Sequence, residues 1–193
     1  MTTSFLARLG RRGVMTALAV TLGFGIAAPV RAQEVMSKDA AVAVRAAFLA
    51  DLEVMRGKFV QLAEAFPQSA YSYRPMDGVR SVSEVLMLAA SEGYAFVPTS
   101  FGGKAWGTPE ERSALSKNTD KAATIDHINK GFAYAKAQLE AVDPATLTGT
   151  RQVMRQNRNV AEIAQMIGGD LHEHLGQLIA YARANRVVPP WSK

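Results

Sequence analysis

The chain has 193 residues and no cysteine, which excludes disulfides, thiolate catalysis and cysteine-ligated metals together. Its formal charge is +5, from 22 Lys and Arg against 17 Asp and Glu. Four arginines (Arg8, Arg11, Arg12, Arg31) lie within residues 1–32; the remainder holds 18 bases against 17 acids, so no basic footprint for nucleic acid is left.

Residues 1–32 have a basic start, no acid, an apolar run from about Val14 to Ala28, and Val30-Arg31-Ala32, small residues where a signal peptidase reads. This is the three-part layout of a secretory signal peptide. The expectation is cleavage near Ala32 and a single domain over residues 33–193, periplasmic or secreted. The apolar run falls short of the about 20 residues that a membrane span needs, which disfavours an uncleaved anchor. Arg11-Arg12 leaves a twin-arginine route open, although Gly10 and Gly13 are poor context for one.

Beyond the leader, helical signals dominate and no convincing strand appears. Over Lys38–Phe66 the apolar residues (Val44, Phe48, Leu52, Met55, Phe59, Leu62 among them) recur at three- and four-residue spacings, and Pro67 stops the run. Ser81 and Glu84 have the spacing of a capping box, so a second helix starts there after the Asp77-Gly78 turn. The following loop holds one helix start, Thr108-Pro109-Glu110-Glu111. A third helix is expected from about Lys121 to Val142, and a fourth from near Asn159 to about Asn185, before Pro189-Pro190. Four amphipathic helices in one small domain point to an all-α four-helix bundle with a long connection between helices two and three.

Two of the three histidines, His172 and His174, are one residue apart on the last helix. The apolar stripe Val160, Ile163, Ile167, Leu171, His174, Leu178, Tyr181 puts His174 on the inward face, with Asp170 one turn earlier. His172 lies about 200° around the helix, so it faces water or a loop and cannot share an ion with its neighbour. Asp170 and His174 then read in two ways. They are either two ligands of a divalent metal (or an oriented base), or a buried hydrogen bond that fixes packing. His127, on the third helix, is expected to be partly exposed and outside any site.

Gly168-Gly169 in mid-helix either admits a close neighbour or ligand, or marks a kink. The cluster Tyr71, Tyr73, Arg74 before Pro75 either lines a pocket mouth or staples a loop, the second reading being preferred. Trp106 and Trp191 read as packing residues.

The segment HEHLGQLIAYARANRVVPPWS (His172–Ser192) closely resembles the C-terminal signature of DinB-like proteins, particularly an exported bacterial subgroup. FPQSAYSYRPMDGVRSVSEVLM (Phe66–Met87) is similar to the family's approach to its second helix. The resemblance implies an up-down-down-up bundle, often a homodimer, and in many members a divalent metal such as zinc or nickel held by three histidines. Carried onto this chain, those positions fall on His174, on Asp170 and on Leu88, which cannot ligate. Glu92, one turn beyond Leu88 on nearly the same face, is a replacement oxygen donor.

Two functions from different classes follow. The favoured one is an exported small-ligand binding or interaction module with a degenerate metal site. The alternative is a divergent metal-dependent hydrolase or transferase using Asp170, His174 and Glu92. A purely structural envelope protein has no specific feature in its favour, and neither nucleic acid nor a stable membrane span is expected among the partners.

Overall fold

The computed structural model describes residues 36–192; the leader assigned to residues 1–32 lies outside them. The described chain is mainly helical. Helix α1 runs Lys38–Ala65, its start capped by the Ser37 hydroxyl, which accepts from the Ala40 N–H. Its buried residues Ala41, Phe48, Leu52, Met55, Phe59 and Leu62 follow the helical spacing read in the sequence. Helix α2 (Val82–Tyr94) begins at a capping box in which Ser81 and Glu84 each accept from the other's backbone N–H. It is buried around most of its circumference. The backbone breaks at Ala95, and a short α3 (Phe96–Ser100) follows. Helix α4 (Pro109–Leu115) has its own capping box, Thr108 with Glu111, and Pro109 occupies its first turn. Helix α5 (Lys121–Ala141) is capped by Asp120, and α6 (Val160–Ala184) by Asn159 with Glu162.

The absence of strands expected from the sequence is corrected by one small hairpin. Strands β1 (Arg151–Val153) and β2 (Gln156–Arg158) pair antiparallel, with Arg151 opposite Arg158. Three-residue strands carry too little periodicity to be legible in sequence. Their turn, Met154-Arg155, takes positive φ at both residues (50° and 64°) without a glycine, so the usual hairpin turn signal is missing as well.

The four long helices share one core. Helix α1 packs on α5 and α6, and α2 packs on α5 and on α6. The α2–α5 contact is close because it is made through glycine: a Cβ at Gly93 would lie 2.6 Å from the Gly131 carbonyl carbon. The aromatic segment after α1 serves as a staple, the reading preferred from the sequence, while Arg74 also lines a cleft. The Tyr71 hydroxyl donates to the Ala63 carbonyl (2.8 Å), Tyr73 meets the Tyr181 ring edge-on, and Arg74 pairs with Glu84. Tyr181 in turn donates to the Arg80 carbonyl (3.0 Å), tying α6 to the start of α2. Trp106 packs on Tyr94 (ring centroids 4.7 Å apart), while Trp191 lies beneath the Lys58 ammonium.

Candidate metal centre

The last turn of α2 and the middle of α6 meet across the core, and three ionisable side chains meet with them. His174 lies on the boundary of the α6 apolar face, whose fully buried members include Leu171, Leu175 and Leu178. Its side chain is 15 % exposed. Its Nε2 is 3.4 Å from the Glu92 carboxylate and 3.8 Å from that of Asp170. Ligand atoms of Glu92, Asp170 and His174 all fall within 4.8 Å of one another, and no other such cluster occurs among the described residues.

The buried Asp170–His174 hydrogen bond considered from the sequence is not present. At 3.8 Å the two groups are beyond hydrogen-bond range, and Asp170 is 39 % exposed. Helical periodicity placed both on one face but could not place Glu92 between them and the core. Glu92 is the most buried of the three. One of its oxygens faces His174; the other, Oε2, is buried with no hydrogen-bond partner.

The electrostatics follow from that burial. Loss of water raises the Glu92 carboxyl above its ordinary range, with the Asp170 charge adding to the rise and His174 opposing it. The hydrogen bond and charge of Glu92 raise His174, against its own desolvation. The pair therefore holds a proton tightly between two groups that each prefer not to be left alone. Two carboxylates and an imidazole are also a chemically sound donor set for a divalent cation, and one Glu92 oxygen is buried without a partner. Three protein donors leave room for further ligands.

Beside Glu92 and Asp170 opens a cleft of about 810 Å³, with Met154, Met166 and Arg158 on its walls and Gly169 in its lining. A separate cleft of about 480 Å³ runs along α2 past Arg80, Leu88 and Ser91. Leu88, the position that the resemblance gives to a third histidine, thus faces a different space, one turn from Glu92.

The remaining histidines are elsewhere. His172 points away from the triad, as its helical angle required, and pairs with Asp51 of α1 at 3.2 Å on the surface. His127 is half-buried and meets the Tyr94 hydroxyl at 3.3 Å. Gly168 packs near Phe48 and Asp51 at ordinary contact distance, whereas Gly169 has no neighbour within 4 Å. Arg158 was missed from the sequence; it follows Arg151 and Arg155 in a short segment that carries no motif.

The sequence model of the DinB superfamily matches residues 51–178, more than half of the chain. The chain belongs to the DinB superfamily. No curated protein matches it. The matched range of this DinB-superfamily domain holds all three members of the cluster and Leu88.

Proposed function

We propose that this DinB-superfamily protein is an exported domain, built as an up-down-down-up four-helix bundle, that binds one divalent cation through Glu92, Asp170 and His174. Its activity is hydrolysis or group transfer on a small molecule held in the adjoining cleft. The observation that carries the reading is the convergence of the three donors with a buried, unpartnered Glu92 oxygen among them. Zinc or nickel suits a site with one imidazole and two carboxylates. The leader-like residues 1–32 support export.

A bound cation would supply Lewis-acid polarisation of a substrate oxygen. The protein's own contribution is positional. Glu92 is fixed by burial in α2 and His174 by the neighbouring turns of α6, so both reach the site on rigid elements rather than loops. Asp170, the most exposed of the three, lines the cleft and so joins the donor set to the space where a small molecule would sit. Met154 and Met166 give the cleft an apolar wall.

The binding-module reading keeps one observation in its favour: Leu88 stands where the resemblance places a ligand. One experiment separates the two. Metal analysis of the purified protein lacking residues 1–32 is expected to show one zinc or nickel per chain, lost in His174→Ala. A metal-free protein whose melting is unchanged by chelators or by added zinc would leave the binding module standing instead.

A further inference from the structure

The cleft beside the triad carries more negative charge than a divalent cation would offset. Glu92, Glu162, Asp170 and Glu173 line it, and Arg158 is the one base in that lining. A metal would engage Glu92 and Asp170. Arg158 stands at the Glu162 end, since it directly precedes Asn159, whose N–H Glu162 accepts at 2.7 Å. Glu173 is left over. It is exposed, lies three residues beyond Asp170 on α6, and forms no ion pair among the described residues. Helix α6 holds no Lys or Arg before Arg183, and the neighbouring His172 is turned to Asp51.

A second feature of the same lining points independently to a ligand. Glu92 is 9 % exposed, and its Oε2 is buried without a hydrogen-bond partner. A buried carboxylate oxygen is costly until a cation or a donor meets it. Phe96, Met154 and Met166 supply apolar surface, and Gly169 contributes no side chain between Met166 and Asp170. Carboxylates and apolar surface together suit a small molecule with an apolar body and one positive end.

Resting on the metal reading above, we infer that the cleft takes small molecules bearing a protonated amine, received by Glu173, with the reacting end at Glu92, Asp170 and His174. Charge decides the class. With a divalent cation on Glu92 and Asp170, the acids Glu162 and Glu173 still outnumber Arg158, so the cleft attracts a cation and repels an anion. Helix rise decides the length. Glu173 lies about 4.5 Å beyond Asp170 along α6, which suits an amine close to the metal-facing group.

The test uses the zinc-loaded protein and two metal-binding probes of equal length, cationic β-alanine hydroxamate and neutral butyrohydroxamate, titrated calorimetrically at low salt. The amine probe is expected to bind about threefold tighter, the size of an exposed ion pair. Glu173→Gln is expected to abolish that preference, with zinc uptake and butyrohydroxamate affinity retained. Glu162→Gln, which keeps the capping box at the start of α6, is expected to retain the preference. Normal zinc uptake with equal probe affinities would overturn the amine subsite alone. So would a preference that survives Glu173→Gln or is lost as fully in Glu162→Gln. Failure to take up zinc at all would overturn the metal reading and the subsite with it.

Discussion

The Glu92 carboxylate meets the His174 imidazole at 3.4 Å, bringing together two residues on helices that are distant in sequence. Each shifts the other's protonation, and burial makes the exchange matter. Replacing Glu92 with Gln keeps the shape but removes the charge. His174 should then titrate lower than in the unmodified protein, which an NMR titration of its ring protons would show. Zinc affinity should fall at least about tenfold, as for loss of a group that ligates or orients a metal. An unchanged His174 titration would mean that the two groups do not interact in solution.

The sign of the pH dependence is set by the same pair. His174 is raised above 6.5 in the fold, so its stabilising effect is complete below that value and is lost as pH rises through the raised one. Glu92 is raised above 4.5, so the folded state holds its proton longer than the unfolded chain does. Its contribution therefore also declines as pH rises from that value. A divalent cation displaces those protons and gains affinity over the same interval. Melting curves between about pH 5 and 8, with and without zinc, should separate progressively as pH increases. A gap that narrows with pH would contradict this.

The two neighbouring histidines should behave differently despite their shared segment. His172→Ala removes only a surface pair with Asp51, both side chains more than 40 % exposed, and should change stability by no more than about 1 kcal/mol. It should leave metal binding intact. His174→Ala should lose the metal while the fold persists. Parallel urea melts and metal analysis of the two variants check this directly.

The capping box that starts α2 also supports the site at the other end of that helix. Ser81→Ala removes the acceptor for the Glu84 N–H and should cost about 1 kcal/mol in chemical denaturation. The backbone N–H of Ser81, together with Arg74, holds the Glu84 carboxyl below its ordinary value of 4.5. That part of the stability is present above 4.5 and disappears as pH falls through the lowered value. Ser81→Ala keeps that backbone N–H and Arg74, so the acid limb of the stability profile should hold its position while the whole curve drops.

Glycines in this chain should divide by their neighbours. Gly93→Ala would drive a methyl into the Gly131 backbone at 2.6 Å, where neither helix can yield easily, and should destabilise by about 1–3 kcal/mol or more. Gly169→Ala meets nothing within 4 Å and should be neutral or stabilising by up to about 1 kcal/mol. Thermal denaturation of the two variants distinguishes a glycine kept for helix contact from one that leaves a cleft open.

The helices were legible in the sequence because caps and apolar spacing are local. Ser81 with Glu84, Asn159 with Glu162, and the stripe from Val160 to Tyr181 need no distant partner to be recognised. The same periodicity separated His172 from His174; the resemblance singled out Leu88, and helical spacing from Leu88 pointed to Glu92 in its place. Whether Glu92 meets His174, however, depends on how two helices are turned toward each other. That angle is decided by packing across the core, including the glycine contact that seats α2 on α5. The hairpin was hidden because three-residue strands and a turn without glycine leave no periodic trace. Arg158 reached the cleft beside the triad only once that hairpin folded beside α6. The sequence by itself determined which residues are helical and which face of α6 carries chemistry; tertiary structure decided which carboxylate completes the site and which arginine looks into it, because those are distances between elements and not spacings within one.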